Sequence, residues 1–268
     1  MPRANRHYIP GYVWHITHRC HKREFLLKFA TDRRRYLRWV FEAKKRFGLS
    51  VLNYVVTCNH THLLVRDNGG RDVIPNSIQL IAGRTAQEFN QRKNRKGAYW
   101  EDRYHATAVE TDSHLRQCMV YMDLNMVRAG VVCHPSEWPF SGYNEIQRPR
   151  KRYALVDYEG LSELLNLKGM DDVGNAYRGW IEESLREGHL DRDGKWTESI
   201  AVGSESFISV TKERLGAKGI GREVIGRDGS FELRESPAPY KDVSGHENCR
   251  LRPKNDYFWN ANDEIPIR

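Results

Sequence analysis

Residues 8–19, YIPGYVWHITHR, alternate so that Tyr12, Trp14 and Ile16 share one side, the period-two pattern of a β-strand. Residues 31–47 change to helical spacing, with Leu37, Val40, Phe41 and Phe47 as the apolar stripe, Asp32 as N-cap and Gly48 as the stop. Residues 50–57, SVLNYVVT, are β-branched and aromatic. After a polar break at Thr57-Cys58-Asn59 a second run, HTHLLVR, follows closely enough to predict a hairpin. Residues 75–92 place Ile78, Ile81, Ala82, Thr85 and Phe89 on one helical stripe, and a basic loop then leads into a strand-like segment at 103–110. Residues 113–129 predict one uninterrupted helix that buries Leu115, Met119, Met122 and Met126 and stops at Gly130. The order is β-α-β-β-α-β plus a helix, a ferredoxin-like arrangement in an α+β protein. That fold hosts many unrelated functions, so function has to come from its side chains.

After about residue 135 the pattern loosens. HPSEWPFSGYNEI is aromatic and contains Pro, and RPRKR reads as a linker or an exposed basic strip. Residues 158–187 and 204–216 predict short helices, and the last segment, rich in turn formers and aromatics, predicts a tail draped over a surface. The expected organisation is a domain over 1–145 and a mostly helical and irregular extension over 146–268.

Composition narrows the class. Of 268 residues 39% are hydrophobic and 11% aromatic, which is too much apolar surface for a disordered chain. No run of 18 apolar residues exists to span a membrane, and Met1-Pro2-Arg3-Ala4-Asn5-Arg6 leads into no apolar segment of a secretory signal. The five cysteines are scattered without CxxC spacing, the usage expected of reduced thiols in a cytoplasmic protein and not of a zinc ribbon. The net charge of +8 is unevenly spread. The first 150 residues hold 25 Lys+Arg against 13 Asp+Glu, the remainder 18 against 22, and nine of eleven histidines precede residue 135. A basic, histidine-rich half joined to a mildly acidic one suggests a polyanion-binding domain with an attached module, although excess Lys and Arg also serve solubility alone.

Two constellations carry the chemistry. His60 and His62 are i and i+2 on a predicted strand and so project to the same face. Adjacent neutral imidazoles on a rigid strand suit a divalent cation, although an isolated H-x-H is also what two packed sheet histidines look like. On the last helix Tyr121 and Asn125 stand one turn apart, with Gln117 a turn earlier, on a stripe distinct from the methionine-lined face. A phenol is a covalent nucleophile when its phenolate is stabilised, and an amide oxygen is a reasonable ligand for Mg²⁺ or Mn²⁺. Each of these alone has an ordinary packing or surface explanation. In combination, a metal held by His60, His62 and Asn125 polarises a scissile phosphate oxygen and leaves Tyr121 in line to attack. The product is a phosphotyrosyl link that keeps the broken bond's energy available for rejoining.

On the segments G-Y-V-W-H-I-T-H-R (11–19), N-H-T-H-L-L (59–64), G-A-Y-W-E-D-R-Y (97–104) and Y-M-D-L-N-M-V-R-A-G (121–130), the chain resembles the REP-associated tyrosine transposases, within the HUH single-tyrosine transposases. Residues 222–235 and L-R-P-K-N-D-Y-F-W near the end resemble C-terminal extensions of a subset of that family. The resemblance implies a metal-dependent single-stranded DNA endonuclease and strand transferase. His60 and His62 would be metal ligands, and Tyr121 the nucleophile that forms a 5′-phosphotyrosine. Asn125 stands where the wider superfamily has a Gln ligand, one methylene longer. Asn125-Met126 replaces the family's Asn-Pro, which predicts a helix unbroken there, and Thr61 replaces a common apolar residue and should point away from the metal.

The implied partner is single-stranded DNA with imperfect REP-like hairpins, bound by a monomer or homodimer in the cytoplasm, associated with the nucleoid. Arg19, Lys22, Arg23, Arg92, Lys93, Arg95 and Arg103 are the expected DNA contacts. Several lie near Tyr99 and Trp100, and basic residues interleaved with aromatics suit phosphate contact plus base stacking. Arg33-Arg34-Arg35 reads as a solvated helix face, and His15, His18 and His105 as strand-packing or DNA-contact residues. The alternative is a non-catalytic nucleic-acid-binding module on an RRM-like sheet, with Tyr54 and Tyr104 stacking on bases. A further rival keeps the metal but uses water as nucleophile.

Overall fold

The computed structural model describes residues 9–70, 72–188, 191–227 and 229–235. Its first part follows the expected order: β1 (Val13–Arg19), α1 (Ala30–Phe47), β2 (Ser50–Val56), β3 (His60–Arg66), α2 (Val73–Arg92), β4 (His105–Val109) and α3 (Ser113–Asp123). The strands lie in the antiparallel order β2-β3-β1-β4, with α1 and α2 packed against each other. Tyr36 of α1 donates to Oγ1 of Thr61 at 3.0 Å, so α1 covers the sheet face opposite to His60 and His62. Thr61 therefore points away from that pair, as expected. Gly48 ends α1 in the left-handed region (φ 72°), where its N–H reaches the Lys44 carbonyl.

The chain continues through α4 (Asn125–Arg128), α5 (Gly142–Gln147), α6 (Tyr158–Leu164), α7 (Met170–Glu187), α8 (Lys195–Glu198), β5 (Ala201–Gly203), α9 (Glu205–Leu215), β6 (Arg222–Arg227) and β7 (Ser230–Glu235). The expected helices at 158–187 and 204–216 are present. The three strands depart from the expected helical and irregular extension: β5 runs parallel to β4, and the β6–β7 hairpin joins through β7, giving among the described residues a seven-stranded sheet β2-β3-β1-β4-β5-β7-β6. The segment after α4 covers the free edge of β2. Val56 N–H donates to Phe140 O, Asp157 N–H to Val51 O, and Trp138 Nε1 to Val56 O. Every residue of this end strand is buried, and these bonds pair part of its outer backbone edge. Gly142 is required there, because a Cβ would stand 2.1 Å from Oδ1 of Asn53. Buried Glu145 then accepts from the N–H groups of Leu155 and Val156 and from Tyr54 Oη, which anchors the exposed RPRKR strip at both ends.

Four local expectations change. Asp32 is not the N-cap of α1: Phe29 holds that position, and Asp32 sits buried in the first turn, paired with Arg92 of α2. The buried stripe of α1 is Tyr36, Trp39, Val40 and Ala43, with Leu37, Phe41 and Phe47 only partly covered. The stripe is rotated because Tyr36 and Trp39 each bury an aromatic body while their polar tips bond Thr61 and Glu88. Arg33 is not solvated; it donates to the carbonyls of Leu27 and Lys28, both at 2.8 Å, and stacks on Phe140 at 4.4 Å. The helix expected over 113–129 breaks at Leu124 (ψ 0°) without a proline. At this point Arg128 Nη2 takes the Tyr121 carbonyl at 2.5 Å, the acceptor an unbroken helix would offer to the N–H of Asn125.

Residues 1–8, the expected draped tail and the L-R-P-K-N-D-Y-F-W segment lie outside the described residues. Among the described residues no helix is long and apolar enough to cross a membrane, and Cys20, Cys58, Cys118 and Cys133 are free thiols.

Candidate active site

Strand register assembles the site before any side chain is considered. Thr17 of β1 pairs with His62 on one side and His105 on the other, Arg19 pairs with His60, and His15 pairs with Leu64 and Thr107. Cross-strand partners share a face, so His15, His60, His62 and His105 form an imidazole patch on the face not covered by α1. The His60 and His62 ring centroids are 4.9 Å apart. His60 Nδ1 lies 2.7 Å from Oδ1 of Asn59, an oxygen that only accepts, so Nδ1 carries the proton and Nε2 keeps a lone pair. Burial pushes His60 down to about 4, aided by Arg19 and Arg128, and holds His62 well below its usual range, aided by His60 and His15. Both rings are therefore neutral at pH 7, the state in which imidazole binds metal.

Helix α3 brings the second constellation over this patch. The β-bulge between Val51 and Asn53 turns Asn53 inward, where Nδ2 donates to Asp123 Oδ2 at 2.9 Å; Tyr177 of α7 donates to the same oxygen. The end of α3 is pinned, and one residue later the chain turns into α4. Asn125 Nδ2 lies 3.2 Å from Nε2 of His62, and the Tyr121 ring centroid stands 6.4 Å from that of His62. Tyr121 is 8% exposed, and its burial raises the phenol above its usual value; Arg128 is the main opposing influence. Two imidazoles and an amide suit a divalent cation of the Mg²⁺ or Mn²⁺ kind. Among the described residues no group of three His, Cys, Asp or Glu is placed to hold a metal, so Asn125 would supply the third donor.

These residues line an open cleft of about 530 Å³ that contains His60, His62, Tyr121 and Asn125 together with Arg19, Arg103, His18 and His105. The other expected DNA contacts lie elsewhere. Lys22 and Arg23 are exposed in the turn after β1, and Lys93 stands 5.2 Å over the exposed ring of Phe29. Arg92 is paired with Asp32, and Arg95 with Glu24 at 3.3 Å. The aromatics of the RRM-like alternative are not displayed for stacking: Tyr54 is fully buried with its hydroxyl on Glu145, and Tyr104 is 6% exposed.

Four members of the site went unnoticed in the sequence. Arg128 sits seven residues past Tyr121, at the end of α4, its guanidinium 4.2 Å from the ring centroid. Asp191 and Arg192 line the cleft, and Trp196 packs 6.2 Å from the Tyr121 ring. Arg128 belongs to the quoted motif and was within reach of the same helical-spacing argument. The other three come from the extension, more than 60 residues from the nucleophile candidate in sequence.

No curated protein matches the chain. Among solved structures, the REP-associated tyrosine transposase bound to a REP hairpin is 22% identical, covering 59% of this chain and 95% of that one with a TM-score of 0.47. A protein assigned as a transposase in Deinococcus radiodurans is 20% identical, covering 43% and 90%, with a TM-score of 0.32. Residues 9–124, which hold the four-stranded sheet, both His residues and Tyr121, match the family model described as "Transposase IS200 like". Over that stretch the chain is similar to the IS200-like transposases.

Proposed function

We propose that the protein cuts and rejoins single-stranded DNA bearing hairpin repeats, through a covalent 5′-phosphotyrosine on Tyr121. The observation that carries this reading is the convergence in one cleft of a neutral histidine pair, the Asn125 amide 3.2 Å from His62, and a buried tyrosine under an arginine. In the cutting step the Tyr121 oxygen bonds to the phosphorus and the P–O3′ bond breaks. The phenol gives up its proton to solvent and the departing 3′ oxygen takes one up from solvent to become a 3′-OH, so the step is proton-neutral. Rejoining runs the same exchange backwards, so no external energy source is needed. His60, His62 and Asn125 would hold the divalent cation, which supplies Lewis-acid polarisation of the scissile phosphate when bound. Arg128 stabilises the tyrosine oxygen as charge develops on it, and Arg19 and Arg103 on the cleft wall meet flanking phosphates. Lys22, Arg23 and Lys93, with Arg92 and Arg95 released from or sharing their carboxylate partners, extend the basic track.

The test is a denaturing gel with labelled hairpin DNA, in Mg²⁺, Mn²⁺ or EDTA. Wild-type protein should form a covalent adduct only with metal, and Tyr121→Phe should bind the hairpin but form none. His60→Ala should form little adduct in either metal. Undiminished cleavage by Tyr121→Phe would assign the nucleophile to water instead.

A further inference from the structure

The carbonyl oxygen of Trp196 lies 2.8 Å from Nδ1 of His15, and Nε2 of His15 lies 2.9 Å from Nδ1 of His62. The two imidazole planes are within 7° of parallel with centroids 5.1 Å apart, a separation that fits an in-plane N–H···N bond and not face-to-face stacking. Direction follows from donor chemistry. A carbonyl only accepts, so Nδ1 of His15 carries a proton. A second proton on Nε2 would create a fully buried imidazolium beside further imidazoles, at a large desolvation cost. Nε2 of His15 therefore accepts, and Nδ1 of His62 donates. His62 is left with a bare Nε2, the nitrogen that faces Asn125 at 3.2 Å.

We propose that His15 is a positioning residue for a divalent cation: with the Trp196 carbonyl it locks His62 in the Nδ1–H tautomer and aims the His62 Nε2 lone pair into the cleft. This rests on the reading of His60, His62 and Asn125 as the cation's ligands. The relay begins outside the family-matched stretch, since Trp196 lies in α8 of the extension. That segment is itself fixed on β4, where Thr107 Oγ1 lies 2.7 Å from the Ser199 carbonyl and 3.3 Å from that of Trp196. The extension thus takes part in building the metal site as well as covering the sheet. Outer partners that fix a ligand's tautomer typically change metal affinity ten- to a hundredfold when removed.

The experiment uses full-length protein labelled with ¹⁵N-histidine, stripped of metal and free of DNA. Ring-nitrogen spectra at pH 7.5 should show His62 as the Nδ1–H tautomer; an Nε2–H tautomer in the wild-type protein overturns the proposal without any variant. In His15→Leu, His62 should lose its single tautomer, and the Mn²⁺ dissociation constant read by electron paramagnetic resonance should rise ten- to a hundredfold. His15→Gln, whose amide can accept from His62 or donate to the carbonyl, should recover part of that loss. Wild-type binding of Mn²⁺ with unchanged tautomer and affinity in His15→Leu overturns the relay alone. A wild-type protein that binds no Mn²⁺ overturns the ligand assignment, and the relay's purpose with it. If His15→Leu fails to fold, the wild-type spectrum and the Gln variant still decide.

Discussion

The guanidinium of Arg128 lies 4.2 Å from the centre of the Tyr121 ring, and the same side chain donates to the Tyr121 carbonyl. One cation thus holds the end of α3 and faces the phenol in a setting where burial alone would keep that phenol protonated. Electrostatic help of this kind counts most when charge develops on the nucleophile in a partly desolvated cleft. Arg128→Met is expected to slow adduct formation by about 100-fold while leaving hairpin affinity within a few-fold. Arg128→Lys, which keeps the charge and loses the planar fork, should fall between. Single-turnover rates on labelled hairpin DNA check this, and equal rates for wild type and Arg128→Met would remove Arg128 from the chemistry.

Arg33 offers a second test, because its role is structural. It bonds two carbonyls at 2.8 Å and stacks on Trp138 and Phe140, joining the loop before α1 to the segment that covers β2. Arg33→Met would leave those carbonyls without their charged donor. The expected loss is about 2–3 kcal/mol in urea denaturation, against about 0.5 kcal/mol or less for exposed Arg34→Met. Similar losses for the two variants would mean that Arg33 is only a surface cation.

The extension sets the third prediction. A chain ending at 145 loses β5 from the edge of β4, Tyr177 from Asp123, and the Leu155 and Val156 donors of buried Glu145. It would expose Ala201's partner strand and the surface now covered by Trp196, an open edge prone to pair with other chains. Such a chain is expected to aggregate or to lose cooperative unfolding, whereas a chain ending at 236 keeps the whole compact unit. Size-exclusion chromatography and thermal melts distinguish the two. A soluble, cooperatively melting 1–145 fragment would show that the first domain is self-sufficient.

How much of this was legible depended on the range of the contact. The β-α-β-β-α-β order follows from local periodicity, and the His60–His62 pairing follows from the geometry of one strand. Tyr121 and Asn125 both line the cleft as helical spacing predicts, although the helix breaks between them at Leu124. Asp32 looked like a cap because its neighbours in sequence said so. Its actual partner, Arg92, is 60 residues away and prevailed. The Arg33-Arg34-Arg35 run predicts a solvated face for the same reason, since the aromatic partners of Arg33 lie more than 100 residues on. Strand β5 is only three residues long and carries no periodicity to detect. The Trp196–His15 contact spans 181 residues and uses a main-chain carbonyl, a group every residue possesses and no motif reveals.

The buried imidazoles also make the fold sensitive to acid. Burial is the largest cause in each case: His15 is pushed down to about 3, His60 to about 4, and His62 well below its usual range. Unfolded, all three return to about 6.5. Below that pH the unfolded chain binds protons that the folded one refuses, so stability present above pH 6.5 is lost as the pH falls toward 4. Asp123 acts in the opposite direction. Its burial raises the carboxyl from 3.8 to about 6, so the folded state takes up a proton first and gains stability over that window as pH falls. At pH 5 three imidazoles outweigh one carboxyl, and unfolding should take up about two protons net. The urea midpoint of metal-free protein is therefore expected to drop between pH 7.5 and pH 5. It should drop more steeply in Asp123→Asn, which removes the counterweight. A wild-type midpoint that stays level or rises over this range would mean that the imidazole patch is charged, or open to water, in the folded protein.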